Sequence, residues 1–465
     1  MNGKIKKLTW LVTGVVLGFG LSLHYTASAQ HSADDPTDLP LKDLRTFSEV
    51  FGKIKSDYVD EVPDHKLVKE AIIGMVSGLD PHSAYLDEDA YKELQTGTQG
   101  EFGGLGLEVT MEDGFVEVVS PIDDSPASEA HMKSGDMIIK IDETAVKGLS
   151  LGDAVKKMRG KVGSSVTLTV LRKSEPKPLV IKLVRAIIKV KSVTMKEIEP
   201  GYASFRISQF QERTAFDLAK AFDKFNTDNH QHLKGMILDL RNNPGGLLNS
   251  AVGVSAVLLP KDTLVVYTEG RIPDSKMRLT TIPDDYLTEN TTDDPIAQLP
   301  GFSKKIPVVV LVNGGSASAS EIVAGALQDQ HRATIMGTRT FGKGSVQTVI
   351  SLGNDTALKL TTARYFTPNG RSIQAKGIEP DVVLKNQGAL DATLGIREAD
   401  LEGHLANPKA GSTPDQENHG VSESQAGPEE GTVSAKVKGK STKSEDVEMQ
   451  DALTYLKQHP LGVKP

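Results

Sequence analysis

Ile306-Pro-Val-Val-Val-Leu-Val-Asn-Gly-Gly-Ser-Ala-Ser-Ala-Ser-Glu321, running on into Ile322-Val-Ala-Gly-Ala-Leu-Gln328, carries the reading of the fold. The run Ile306–Val312 is apolar, short and β-branched, which predicts a buried strand rather than a surface helix. Beyond it, Ile322, Val323, Ala326 and Leu327 recur at helical spacing. The serines therefore lie at a strand-to-helix turn, where free backbone N–H groups can hold developing negative charge. Serine is also a favoured helix cap. Periodicity alone does not choose among Ser316, Ser318 and Ser320.

A second segment, Thr340-Phe-Gly-Lys-Gly-Ser-Val-Gln347, sets Lys343 between two glycines. Alternation from Val346 through Thr348 to Ile350 predicts a strand with Lys343, Ser345 and Gln347 on one face. The Gln347 amide is then expected to orient the Lys343 amine.

Together with Leu238-Asp-Leu-Arg-Asn-Asn-Pro-Gly-Gly246 and Thr361-Thr-Ala-Arg-Tyr-Phe-Thr-Pro-Asn-Gly-Arg-Ser372, these motifs resemble the carboxyl-terminal processing proteases. These are tail-specific serine proteases with a Ser–Lys catalytic pair. The likeness runs from about Leu44 to Val383. It implies Ser318 as nucleophile, Lys343 as base and Gln347 as its orienting partner. Lysine is almost wholly protonated at neutral pH, so the base has to be desolvated when the site assembles. Ser–Lys pairs are recurrent variants of serine-triad logic. The oxyanion is expected at the N–H of Ala319 and an N–H at Gly245 or Gly246, where glycine leaves the amide unhindered.

Between about Gly100 and Val184 the pattern changes to short strands with glycines, then a helix carrying Leu151, Ala154, Val155 and Met158. This resembles a permuted bacterial PDZ domain, which binds an extended tail along a sheet edge and holds its carboxylate in a backbone nest. Gly104, Leu105, Gly106 and Leu107 are the expected carboxylate loop, with Val155 and Met158 lining the side-chain pocket. The segment Ile187–Leu384 alternates strands and helices, as in a crossover α/β fold. The resemblance makes it a crotonase-like core. Residues 270–303 read as a polar, proline-rich surface insertion.

The N-terminus is basic over Met1–Lys7 and apolar over Leu8–Leu23, and ends in Ala27-Ser-Ala29. This predicts a signal peptide, residues 1–29, and an exported, periplasmic protein; membrane association requires that the signal stay uncleaved. A helical region follows at 39–98, with Phe47, Val50, Phe51 and Ile54 on one face; the resemblance favours self-association there. The expected order continues with a PDZ domain at 99–185, the protease core at 186–385, a flexible tail at 386–445 rich in Gly, Ser, Glu and Lys, and a terminal helix at 446–465. The fold class is thus α+β and multidomain.

Composition removes several alternatives. A net charge of −8 with no basic aromatic patch argues against nucleic acid. The absence of cysteine excludes disulfides, a thiol nucleophile and an N-terminal lipid anchor on cysteine. His230 and His232 form no zinc motif, and no metal or organic cofactor is expected. The expected partners are proteins with exposed C-terminal tails, a second copy of the chain and, as an open question, an activating adaptor. The rival reading is a non-catalytic tail-binding scaffold, which has no need of Ser318, Lys343 and Gln347 together. A hydratase on the same core is disfavoured because no acyl-carrier pocket motif is visible.

Overall fold

The computed structural model describes residues 40–229, 233–288, 293–384, 396–408 and 446–459. The predicted signal at 1–29, His230 and His232, and most of the expected flexible tail lie outside them. The chain divides into two compact units, residues 1–71 and 72–465. In the first, the helix Leu41–Asp57 leaves Leu44, Phe47, Val50 and Ile54 exposed. Lys55 pairs there with Asp64 at 2.7 Å. Among the described residues no helix is long and apolar enough to cross a membrane.

In the second unit, the core sheet runs in the order Val193–Glu199, Tyr202–Ile207, Gly235–Asp239, Val308–Val312, Thr334–Gly337, Val382–Val383. Its first pair is antiparallel and the rest are parallel. Parallel neighbours require crossovers, supplied by the helices Thr214–Asp228, Leu248–Leu258 and Ala319–Asp329. The central strands Gly235–Asp239 and Val308–Val312 are buried at every position, as their continuous apolar runs require. One face of the sheet packs on the crossover helices around Phe205, Phe222, Leu238 and Val310. The other is covered by the terminal helix Val447–Gln458, which seats Ala452, Leu453 and Leu456 on Ile237, Val309 and Leu311.

A second sheet is built on the long strand Thr356–Phe366, flanked by Ser345–Gly353, Ala84–Leu86 and Leu264–Gly270. Residues 270–303 are no simple surface insertion. Arg278–Thr280 adds a strand to this sheet, and Tyr286 and Ile296 are buried in the main core. Their spacing fits neither period 2 nor period 3.6, so the pattern did not reveal them.

The segment 107–184 folds as a separate antiparallel sheet with its own core of Val116, Ile138, Leu168 and Val170 beneath the helix Leu151–Met158. Glu101–Gly104 and Ala186–Lys189 pair as a two-stranded ribbon where this module joins the rest.

Candidate active site

Asn313 ends the strand Val308–Val312 and shapes the turn that follows. Its side-chain oxygen accepts the N–H groups of Asn242 (2.9 Å) and Gly315 (3.0 Å). The three serines then separate. Ser316 is buried and its hydroxyl donates to the Leu240 carbonyl at 2.8 Å. Ser320 is buried and donates to the Asn243 carbonyl at 2.9 Å. Both hydroxyls are consumed in knitting this turn to the Leu240–Gly246 loop. Ser318 alone is half-exposed, at the start of the helix Ala319–Asp329. Its φ of 55° and ψ of −114° lie where a non-glycine residue is held only by its surroundings. Its hydroxyl is within hydrogen-bonding reach of the Tyr365 phenol.

The holder of that conformation is Glu321, a carboxylate with no solvent exposure. Its Oε2 accepts the N–H of Ser318 at 2.8 Å and that of Lys343 at 2.9 Å. Its Oε1 accepts the Thr340 hydroxyl at 2.6 Å and the Gly342 N–H at 2.7 Å. Burial pushes its carboxyl up to about 7, against the pull of these donors.

Lys343 sits in a loop, Phe341–Gly344, whose backbone is fully tied down. Phe341 N–H donates to Ser316 O at 3.1 Å, and Gly344 N–H to the Gln374 side chain at 3.0 Å. The Gly342 carbonyl accepts from Ala375, and the Lys343 carbonyl from the Tyr365 hydroxyl. The amine is held below its ordinary value by burial and then by the positive charge of Lys359, while Glu398, Asp80 and Glu321 oppose the shift.

Two expectations need correction. Gln347 does not reach Lys343: its amide donates to the Ser345 hydroxyl at 3.0 Å and to Thr361 at 3.4 Å. A bulge between Val346 and Gln347 breaks the alternation on which the shared face rested. The Gly245 N–H is also taken, by the Asn243 side chain at 2.9 Å. Gly245 instead packs against Ser318, where an added Cβ would lie 2.7 Å from that of Ser318. The N–H groups of Ala319 and Gly246 have no acceptor among the described residues.

At the edge of the 107–184 module, Gly104, Leu105, Gly106 and Leu107 line a pocket of about 80 Å³ together with Val155 and Met158. The sequence reading missed three further walls of it, Phe102, Val109 and Arg159. Phe102 lies under the Arg159 guanidinium, 5.3 Å from ring centre, and Arg159 also pairs with Glu93 at 2.7 Å. Glu321 was likewise in view in the serine motif but read only as part of a helix start. Tyr365 and Gln374 gave no signal, because their partners lie far away in the chain. Among the described residues no cluster of His, Cys, Asp and Glu would hold a metal ion.

Residues 201–384 match the family model of peptidase family S41, 103–183 that of the PDZ domain, and 20–90 that of the N-terminal domain of the activating protease CtpB. The chain is 45% identical over 410 residues to the carboxy-terminal-processing protease of Bartonella bacilliformis, covering 86% of this chain and 88% of the relative. It is 36% identical over 389 residues to the "Probable CtpA-like serine protease" of Staphylococcus haemolyticus, covering 82% and 74%. Among solved structures, it is similar to a photosystem II D1 C-terminal processing protease at 30% identity, with a TM-score of 0.40 over 74% of this chain and 94% of that one. The chain therefore belongs to peptidase family S41, as a serine-type carboxy-terminal processing protease that carries a PDZ domain.

Proposed function

We propose that this protease is exported to the periplasm, captures apolar C-terminal tails of envelope proteins on its PDZ domain, and cleaves them by acyl transfer with Ser318 and Lys343. One observation carries the reading. Of three clustered serines, only Ser318 keeps its hydroxyl off a backbone carbonyl, and one buried carboxylate ties its N–H to that of a desolvated lysine. Ser318 Oγ attacks the scissile carbonyl as Lys343 Nζ takes its proton; the lysine returns the proton to the leaving amine, and water then hydrolyses the acyl-enzyme. The amides of Ala319 and Gly246 hold the oxyanion, and Gln347 acts through Thr361 rather than on the amine. No cofactor enters the step.

The tail carboxylate docks on the N–H groups of Leu105 and Gly106, and its last side chain enters the pocket beside Val155 and Met158. The Ser318 hydroxyl faces Tyr365, and no bond joins it to Lys343 among the described residues; this arrangement fits a resting state that tail binding converts. The exposed apolar face of Leu41–Asp57 supports self-association, with an adaptor as a further partner. The division proposed is signal 1–29, helical region 39–98, PDZ domain 99–185, protease core 186–385, tail 386–445 and terminal helix 446–465.

Ser318→Ala removes one hydroxyl and is expected to abolish hydrolysis, by on the order of 10⁴-fold or more, while tail binding persists. A Ser318→Ala trap expressed in the source cell should retain envelope proteins by their C-termini. Near-normal turnover in Ser318→Ala would overturn the reading, and a trap that holds only cytosolic proteins would overturn the location. Cleavage after Ala29 would leave a mature chain without its single tryptophan, Trp10, which intact mass and fluorescence both read.

A further inference from the structure

Residues 396–408 form a strap against the lysine loop, and its key residue, Glu398, is wholly buried. The Glu398 N–H donates to the Phe341 carbonyl at 3.1 Å, at one end of the loop. Its Oε1 accepts from Gln374 Nε2 at 2.8 Å, and Gln374 Oε1 accepts the Gly344 N–H at 3.0 Å, at the other end. Leu405, farther along the strap, holds the same Gln374 amide through its carbonyl at 3.0 Å.

The second Glu398 oxygen pairs with His82 Nε2 at 2.8 Å, and the two side chains are only 1% and 16% exposed. His82 belongs to a turn built on Asp80, whose Oδ1 accepts the N–H groups of His82 and Ser83, each at 2.9 Å. The same oxygen accepts the Thr361 hydroxyl at 3.1 Å, and Thr361 is the acceptor of Gln347. Segments more than 300 positions apart thus close a ring around Lys343.

A strap with a purely structural task is served more cheaply by apolar packing, because a buried carboxylate carries a desolvation cost. Burial raises the Glu398 carboxyl, but the bonds from His82 and Gln374 outweigh it and hold the group below the usual carboxylate range, hence ionised. The charged groups that act on the Lys343 amine are Lys359, Glu398, Asp80 and Glu321.

We propose that Glu398, held by His82, is a positioning residue of the reaction, clamping both ends of the Phe341–Gly344 loop and setting a negative charge opposite the Lys343 amine. The inference rests on Lys343 being the base. Removing the Glu398 charge disfavours the ammonium form, so the amine loses its proton at lower pH.

The test is the pH dependence of kcat/KM for the full-length protein on a short peptide with a free C-terminus. For Glu398→Gln the acid limb is expected to move down by about one pH unit, with a lower plateau and little change in KM. Glu398→Asp keeps the charge but shortens the clamp, so its plateau falls while the limb stays. His82→Gln preserves a donor to Glu398 and is expected to stay close to the parent; His82→Ala lowers kcat. A Glu398→Gln limb superimposable on the parent, with loss only in thermal stability, would overturn the proposal. Lys343→Met separates the two levels. If it remains active, the assignment of the base fails; if it is inactive while the Glu398→Gln limb is unmoved, only the role of Glu398 fails.

Discussion

Ser318 and Lys343 donate their backbone N–H groups to the same oxygen, Oε2 of Glu321, at 2.8 and 2.9 Å. The two residues lie on different elements, a helix start and a loop before a strand, and this shared acceptor fixes their relative position. Strain at Ser318 is thereby sustained from the side that also carries the lysine.

Glu321→Gln turns part of that acceptor into a donor facing N–H groups. Activity is expected to fall by roughly tenfold to a hundredfold through kcat, with KM for a tail peptide nearly unchanged. The sign for stability is separate. A buried carboxyl raised to about 7 favours the folded state below its ordinary value near 4.5, and that contribution is lost as pH rises through 7. Glu321→Gln should therefore flatten the pH dependence of Tm between those limits, which calorimetry at several pH values checks.

Lys343→Arg is expected to be as inactive as Lys343→Ala, because a guanidinium keeps its proton. In the parent, activity is expected to rise with pH through the lowered value of the amine, since only the neutral form accepts a proton. Lys359→Gln removes a nearby positive charge, so the limb should move to higher pH. A limb that moves down, or substantial turnover in Lys343→Arg, contradicts the role of the lysine.

Gly246→Ala would set a Cβ 2.1 Å from the Phe210 carbonyl, forcing the loop and its amide away from Ser318. Loss of one oxyanion donor typically costs on the order of 10²–10³ in kcat. Gly245→Ala should be comparably damaging for another reason, a clash with the Ser318 Cβ, the Ala317 carbonyl and the Ala319 amide at the helix start. An acylating probe should label Ser318 more slowly in both variants, and crystal structures distinguish them, because the helix start should shift only in Gly245→Ala.

The terminal helix is joined to the catalytic side of the core. Arg241, in the loop that leads to Gly245, grips Asp446 at 2.6 Å and Glu448 at 2.6 Å as well as Asp239 at 2.9 Å. Truncation after residue 445 removes Asp446 and Glu448 but not Asp239, and exposes the seat of Leu453 and Leu456, each worth roughly 1.5–3 kcal/mol on burial. Tm is expected to drop by several degrees, with a fall in kcat larger than in tail binding. Equal kcat in the truncated and full chains would show that the helix only covers the sheet.

The sequence by itself determined the elements whose residues answer to local period. The strand–turn–helix from Val308 to Asp329, the PDZ-like helix with Val155 and Met158, and the terminal helix were all legible, since spacing along the chain fixes which side chains share a face. The family motifs added the lysine loop and the glycine pair. Only the tertiary structure decided which of the alternating serines is open, because Ser316 and Ser320 are withdrawn by carbonyls of Leu240 and Asn243, more than 70 positions away. It likewise turned Gln347 toward Thr361 and brought Glu398 and His82 to the lysine loop. Hydrogen-bond partners at such separations are chosen by packing, and no periodicity within one segment encodes them.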